Sequence, residues 1–188
     1  MTIFRTAPVL CALALAAGAA PLPAQDLSYR VGAGIGFPLG AVSERRQAGP
    51  SAAVSVQAPM GRLWSLRLEG DVSVLRGRAA LPDRPHSATS HLWAVGGTMS
   101  GVRTVGGGDH GPYLLVGLGA YRLRIENESP SPSDITGALQ AGLGVEGGGR
   151  GGLFPFAEAR AVVHATDYGA SDFRLTMHLP VVVGVRFR

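Results

Sequence analysis

Apolar and polar residues alternate along much of this chain, most clearly over residues 63–74, which read LWSLRLEGDVSV. One face of this stretch carries Trp, Leu, Gly and Val, and the other carries Arg67, Glu69 and Asp71. Alternation with a period of two is typical of a β-strand with two unlike faces. The stretch alone leaves the orientation open: a soluble sandwich would turn the charges toward water, and a membrane barrel would turn them into its lumen.

Eight segments carry this strand pattern, and each has about the ten residues that a tilted membrane-spanning strand requires. The segments are residues 27–37, 51–58, 63–74, 89–103, 112–124, 135–146, 153–164 and 173–187. After residue 24 no apolar run approaches the roughly 18 residues of a membrane-spanning helix. If the chain spans a membrane, we therefore expect it to do so with strands.

The orientation of the fourth and seventh segments is left open by the sequence. Alternation is weak in the fourth segment. In the seventh, Phe154 and Phe156 share a phase with Glu158 and Arg160, unless a bulge at Pro155 shifts them to the other face. Proline within a sheet tends to lie at bulges or edges, so both arrangements remain possible at this stage.

Glycine is common on the polar face of the segments. The chain has 28 glycines in 188 residues, which is about twice the average usage. Glycine weakens a strand that faces solvent, but in a cramped interior it leaves room for Arg, Glu and Tyr. An eight-stranded barrel has an interior just wide enough for side chains to fill. The sequence therefore predicts an all-β fold: an eight-stranded antiparallel up-and-down transmembrane β-barrel with its polar face inward.

Long polar connections alternate with shorter ones along the chain. Outer-membrane barrels have short periplasmic turns and longer loops on the outside, which predicts a periplasmic N-terminus here. The expected outer loops are residues 38–50, 77–87, 126–134 and 165–172.

Aromatic residues near the segment ends are typical of the two girdles that flank a membrane-spanning band. Trp64, Tyr113 and Phe187 are expected at the periplasmic ends of the strands. Phe37 and Phe173 are expected at the outer ends.

The first 24 residues have the layout of a secretory signal peptide. Arg5 precedes an apolar run over residues 7–20, and Ala24 is a suitable residue before a cleavage site. The run is too short to span a bilayer as a helix. The barrel domain is then residues 25–188. The single cysteine, Cys11, lies in the signal, so the mature chain is expected to hold no disulfide and no thiolate site.

All 17 basic residues are arginine, and loss of Arg5 with the signal leaves a net charge of about +3. The excess is small and forms no run, which argues against nucleic-acid binding.

Charges that point into a barrel need partners, because unpaired charges in a confined interior are costly. We expect an internal network that fills the lumen and leaves no open general pore. Its expected members are Arg67, Glu69, Asp71, Glu158 and Arg160, with Arg30, Glu146 and Arg186 at its edges.

Three runs are the most distinctive: GPYLLVGLGAY (111–121), FPFAEARA (154–161) and LPVVVGVRFR (179–188). With them the chain resembles the small outer-membrane β-barrel family, the OmpA/OmpX-like eight-stranded barrels of Gram-negative bacteria. The resemblance covers essentially the whole mature chain. It implies a protein of the cell outer membrane, exported with a cleaved signal peptide and inserted by the barrel-assembly machinery. It also implies contact with membrane lipids and lipopolysaccharide, and a structural or interaction role.

Some barrels of this architecture are lipid A deacylases or acyltransferases, and this is the main alternative. His86 with Ser87, and His164 with Asp167, are the nearest candidates. However, a histidine and a serine two apart on a strand, as in those enzymes, are absent. His86 and His91 have no evident third ligand for a metal. The glycine-rich runs GGGDHG and GGGRGG join strand to strand, whereas phosphate cradles need a following helix. We expect no catalytic residue, no metal and no cofactor.

Arg122 and Arg124 share the lipid-facing phase at the outer end of the fifth segment. They could pair with phosphates of lipopolysaccharide or snorkel to the headgroup level. A further alternative is a soluble periplasmic barrel that binds an apolar ligand, which would require the two faces to be reversed. The sequence does not identify a physiological partner.

Overall fold

Eight long strands account for most of the residues that the structure, a computed structural model, describes: 27–44, 46–77, 91–106, 110–125, 134–149, 151–167 and 173–188. A 3-10 helix (Gly40–Glu44) and a two-residue strand (Arg46–Gln47) follow the first of them. No helix among these residues is long and apolar enough to cross a membrane. The signal peptide expected at residues 1–24 lies outside the described residues. The strands are β1 (Ser28–Leu39), β2 (Gly49–Pro59), β3 (Trp64–Gly77), β4 (Leu92–Thr104), β5 (Gly111–Ile125), β6 (Asp134–Glu146), β7 (Leu153–Asp167) and β8 (Phe173–Phe187).

Each strand pairs antiparallel with its neighbours in the sequence, and β1 pairs with β8. The sheet therefore closes on itself and leaves no edge strand among the eight. This confirms the eight-stranded antiparallel up-and-down barrel that the alternation predicted. The turn from β6 to β7 contains Gly151 and Gly152 at φ +61° and +81°. Residues that have a Cβ rarely adopt this backbone conformation.

Several strands run further toward the loop end than the sequence indicated. β3 continues to Gly77, where it pairs with Arg46–Gln47, and β7 continues to Asp167. The expected outer loops at residues 38–50 and 165–172 are therefore partly strand. The strands extend this far because each added residue gains cross-strand hydrogen bonds, and a polar sequence does not end a strand that still has a pairing partner. The expected loop stretches at residues 78–87 and 126–133 lie outside the described residues.

The two faces of the wall have opposite chemistry. On β5, Leu114, Val116 and Leu118 point outward and are more than half exposed, whereas Tyr113 and Tyr121 point inward and are buried. Arg67 and Arg160 are among the most deeply buried side chains of the described residues, at 2 % and 1 % exposure. Soluble proteins bury apolar side chains and expose arginine. Here the arrangement is inverted: the apolar face is the outside of the barrel.

The outward face of β4 gives the height of the apolar belt. It carries Trp93 at one end and Arg103 at the other, with Val95 and Met99 between them. Ten residues at about 3.3 Å each, in a strand tilted by about 40°, give a height of about 25 Å, which matches the apolar band of outer-membrane barrels. Arg103 lies 5.7 Å from the ring centroid of Trp64, so a cation and an aromatic ring mark one border of the belt together.

Three of the expected girdle residues, Phe37, Trp64 and Phe187, lie on the outward face and are 39–48 % exposed. Tyr29, which the sequence reading did not include, stacks on Phe187 with ring centroids 5.8 Å apart. The side chain of Phe173 lies outside what the structure describes. Tyr113, also expected in a girdle, instead faces the lumen.

The structure shows which residues of β4 and β7 face the lumen. In β4 the even-numbered residues face inward, including buried Thr98 and Ser100. In β7 the register with β6 and β8 is unbroken around Pro155, so no bulge occurs there. Phe154 and Phe156 therefore share the inner phase with Glu158.

The rings of β7 have a physical reason to face inward. The guanidinium group of Arg186 lies 4.3 Å from the ring centroid of Phe154, and that of Arg30 lies 4.0 Å from the ring centroid of Phe156. Each ring thus offers an arginine of the lumen a cation–π contact. The polarity of the residues alone does not predict these cation–π contacts.

If the outward face meets lipid, Leu118→Arg lowers the free energy of unfolding in lipid vesicles by about 2–4 kcal/mol. Leu118 lies in the middle of the belt, 58 % exposed and paired with Met99 and Leu139. The measurement is a denaturant titration of the vesicle-embedded protein, with Leu118→Ala as the control for lost packing. Equal stability of the Arg and Ala variants would mean that this face meets water.

The filled lumen as the candidate functional site

Eight charged side chains meet inside the barrel because they occupy alternate positions of five strands. All are buried, with exposures of at most 8 %. Four arginines face four carboxylates, so their formal charges balance when all are ionised. They come from β1 (Arg30), β3 (Arg67, Glu69, Asp71), β6 (Glu146), β7 (Glu158, Arg160) and β8 (Arg186).

Glu158 lies at the centre of the network. Its Oε2 is 2.5 Å from Nη1 of Arg67 and 3.8 Å from Nη1 of Arg30. The hydroxyl of Tyr113 donates a hydrogen bond of 2.7 Å to the same oxygen. Its Oε1 is 3.4 Å from Nε of Arg160. One carboxylate thus forms ion pairs with three arginines on three strands.

The remaining ion pairs extend this centre in both directions. Arg160 pairs with Glu69 toward the loop end. Toward the opposite end, Glu146 is 2.5 Å from Nη2 of Arg186 and 3.8 Å from Nη2 of Arg30. A continuous path of charge contacts therefore runs from Glu69 to Arg186. Low local dielectric strengthens each contact and makes loss of one partner expensive.

Asp71 lies beyond this path and has a different kind of partner. Its Oδ1 accepts a hydrogen bond of 2.5 Å from the hydroxyl of Tyr121. Asp71 is thus a buried lumen carboxylate held by a tyrosine two strands away, whose ring crosses Gly96 of β4.

Tyr113 corrects one expectation. It was expected in the periplasmic girdle, but its side chain faces the lumen and is 5 % exposed. Its hydroxyl accepts a 2.8 Å hydrogen bond from Arg30 while it donates to Glu158. The available signal was phase, because Tyr113 and Tyr121 both occupy inward positions of β5. A phenol hydroxyl is also a better partner for buried charge than an aromatic ring alone.

Glycines opposite the two tyrosines provide the space for their rings. A Cβ on Gly144 would collide with the ring of Tyr113, and a Cβ on Gly96 would collide with the ring of Tyr121. The two pairs are aligned across neighbouring strands. Gly96 and Gly144 are thus required because the neighbouring tyrosine rings occupy the space of a side chain. This is the role that the sequence predicted for glycine on the inner face.

Neutral polar side chains also form hydrogen bonds in the lumen, and these residues were not among the expected members of the network. Gln140 donates to Thr98 and Ser100 at 2.8 and 2.6 Å. Gln57 accepts from Nε of Arg67 at 3.1 Å.

Two histidines stack in the lumen toward the loop end. Nε2 of His164 is 3.0 Å from Nδ1 of His178, and the rings are parallel with centroids 5.0 Å apart. Tyr121 meets His164 edge-on at 4.7 Å. Of the candidate catalytic pair His164 and Asp167, His164 is hydrogen-bonded to His178, and the side chain of Asp167 lies outside what the structure describes. His86 and Ser87 lie outside the described residues.

A cluster of buried apolar side chains lies beside the histidines, with Val162 aligned with His178 and Ala138 aligned with His164. It packs around Tyr121, and Val42 of the 3-10 helix contacts it from the loop end. Its buried members are Leu75, Leu92, Ala94, Leu123, Ala138 and Val162. In the described part of the chain, no three His, Cys, Asp or Glu side chains are grouped to hold a metal ion.

Arg122 and Arg124 lie outside the barrel, as their phase predicted, and both are exposed. They line an outward groove of about 460 Å³ together with Trp93 and Val95.

The soluble alternative required the glycine and charge face to point outward. The buried network and the exposed belt have the reverse arrangement. The soluble periplasmic reading is therefore wrong for this structure, because the apolar face encloses no cavity. The molecule is a closed antiparallel barrel with buried charged side chains on its inner face and an apolar outer surface.

Comparison with known proteins supports this class. No protein-family model matches the chain, and no curated protein matches it. Among solved structures it is similar to Neisserial surface protein A, with a TM-score of 0.59, 15% identity, and coverage of 86% of this chain and 96% of that chain. Two structures of Ail, the attachment invasion locus protein of Yersinia pestis, one with the heparin analogue sucrose octasulfate, match with a TM-score of 0.46, 13% identity and coverage of 86% and 99%.

The chain has the fold of the small eight-stranded outer-membrane β-barrels. The family resemblance read from its sequence is confirmed at this level.

We expect Glu158→Gln to lower the free energy of unfolding by about 3–5 kcal/mol, because Arg67 and Arg30 lose the charge that compensates them. Denaturant titration in lipid vesicles measures the change. Glu44→Gln, at an exposed position of the 3-10 helix, is the matched control and should change stability little. The double variant Arg67→Met/Glu158→Gln should be more stable than the sum of its single variants implies. Similar stability of the two Gln variants would contradict the central role of Glu158.

Proposed function

We propose that this protein is an integral outer-membrane β-barrel with a structural or interaction role and that it is not an open general pore. It is exported with a cleaved signal peptide, inserted by the barrel-assembly machinery and surrounded by outer-membrane lipids. One observation carries the proposal: the wall is inverted relative to a soluble protein, with paired charges inside and a belt of leucine, valine and aromatic residues outside. Such a belt is stable in lipid and unstable in water.

The contents of the lumen support a closed barrel. The ion pairs centred on Glu158 span the interior from β1 and β3 to β7, and the apolar layer around Leu75 follows toward the loop end. Ion flow would require both layers to rearrange. With the lumen closed, the outer surface and the loops are the parts of the protein that can contact other molecules. This favours a structural or interaction role.

Fractionation and heat modifiability test the proposal directly. We expect the protein in the outer-membrane fraction, with a band that shifts on a detergent gel between unboiled and boiled samples, because a closed barrel resists detergent until heated. Recovery as a soluble periplasmic protein without a shift would overturn the proposal. Release of fatty acid from lipid A by the purified barrel would instead favour an enzyme of the same architecture.

Conductance measures whether the lumen is filled. We expect the purified protein to produce no large, steady current in planar bilayers, with an open porin reconstituted in parallel as the positive control. Large steady currents from the folded protein would contradict the closed lumen.

A further inference from the structure

The stacked histidines join the inner faces of β7 and β8 in the half of the barrel that lies toward the loop end. His164 and His178 are 0 % and 1 % exposed, and their facing nitrogens are 3.0 Å apart. His164 is aligned with Thr176 and His178 with Val162, so the hydrogen bond runs diagonally between neighbouring strands. The ion pairs centred on Glu158 include neither ring. The histidines are therefore a separate polar contact of the lumen.

The hydrogen bond between the two rings depends on their protonation. A neutral imidazole has one N–H group and one acceptor nitrogen, whereas an imidazolium has two N–H groups and no acceptor. Two neutral rings, or one neutral and one charged ring, can form the 3.0 Å contact. When both rings are charged, two N–H groups face each other and two positive charges lie in contact. Proton uptake by the second ring therefore breaks the hydrogen bond.

The charged and titratable groups that face the histidines offer an imidazolium little compensation. Arg160 of β7 acts on His178 with a charge of the same sign and pairs with Glu69 of β3. Tyr121 of β5 meets both rings edge-on, and its hydroxyl donates to Asp71 of β3. Among the side chains that the structure describes, no carboxylate forms an ion pair with either histidine. A buried charge without a partner is costly.

The remaining contacts around the histidines are apolar. Ala138 of β6 is aligned with His164, and Val162 of β7 is aligned with His178. Both belong to the buried cluster around Tyr121, which the 3-10 helix contacts from the loop end. Separation of the two rings would therefore disturb this apolar cluster first, because the cluster packs directly beside them.

We propose that His164 and His178 form an acid-sensitive latch inside the barrel. With at most one ring charged, their hydrogen bond holds β7 to β8 beside Tyr121, and the apolar cluster excludes water from the loop-end half of the lumen. When both rings take up a proton at mildly acidic pH, where histidine titrates, the rings separate and water enters that half. The ion pairs centred on Glu158 stay in place and keep the barrel folded. The inference goes beyond the proposed function and does not depend on what surrounds the barrel.

Two matched cysteine variants measure the entry of water. Val162 and Val182 both face inward and are 0 % and 2 % exposed, but Val162 is aligned with His178 and Val182 with Glu158. Each valine is replaced by Cys in a Cys11→Ser background. The folded barrel in detergent micelles is labelled with a small water-soluble thiol reagent at about pH 7.5 and about pH 5, on either side of the ordinary pKa of histidine, about 6.5. The ratio of the two rates at one pH corrects for the pH dependence of thiol ionisation.

We expect the labelling rate of Val162→Cys relative to Val182→Cys to rise about tenfold or more at the acidic pH, because only the loop-end half opens. The rise should reverse when the sample is neutralised. In His164→Gln/His178→Gln, which keeps every carboxylate, the ratio should be the same at both pH values, since glutamine does not titrate. His110→Gln removes an exposed histidine and is the matched control, which should behave as the parent does.

An unchanged ratio in the parent would overturn the inference, and so would an equal rise in the parent and in His164→Gln/His178→Gln. Faster labelling of both cysteines with loss of the heat-dependent gel shift would indicate global unfolding and would also overturn it. If the double variant lacks the gel shift, imidazole NMR of the parent decides. Two of the five histidines should then titrate in two coupled steps, whereas independent titration of all five would contradict the latch.

Discussion

The contacts that Glu158 makes with Arg67, Arg30 and Arg160 are the interaction on which the rest of the structure depends. An apolar outer surface forces the ionic side chains of the wall inward, and there they have little water to solvate them. Desolvation of one charge costs several kcal/mol unless a partner is in place. The arginines and carboxylates therefore must meet each other across the lumen, and the strands that carry them must close into a barrel for this to happen.

Space in the lumen is the second constraint. An eight-stranded barrel has little interior volume, and the network needs four arginines and two tyrosines within it. Glycine on the inner face provides that volume where rings approach the opposite backbone, as at Gly144 beside Tyr113 and Gly96 beside Tyr121. At these two positions glycine is thus a consequence of packing large polar side chains into a narrow barrel.

The charged side chains of the wall are paired inside the barrel, so the outer surface is what the barrel presents to its surroundings. Along most of that surface the side chains are apolar and match lipid. The loop end departs from this rule at Trp93, Arg122 and Arg124, where basic and aromatic residues of β4 and β5 form a groove.

The sequence by itself determined which face of each regular strand points inward, because side chains alternate strictly along a strand. Arg30, Arg67, Glu158 and Arg186 could be assigned to the lumen on that basis. Alternation carries no information about partners in other strands. Arg67 and Glu158 are 91 residues apart, and their contact depends on barrel closure and on the registers of the strands between them. Tertiary structure alone therefore decided the pairing in the network, the inward ring of Phe154, the histidine stack, and the alignment of Trp93 with Arg124.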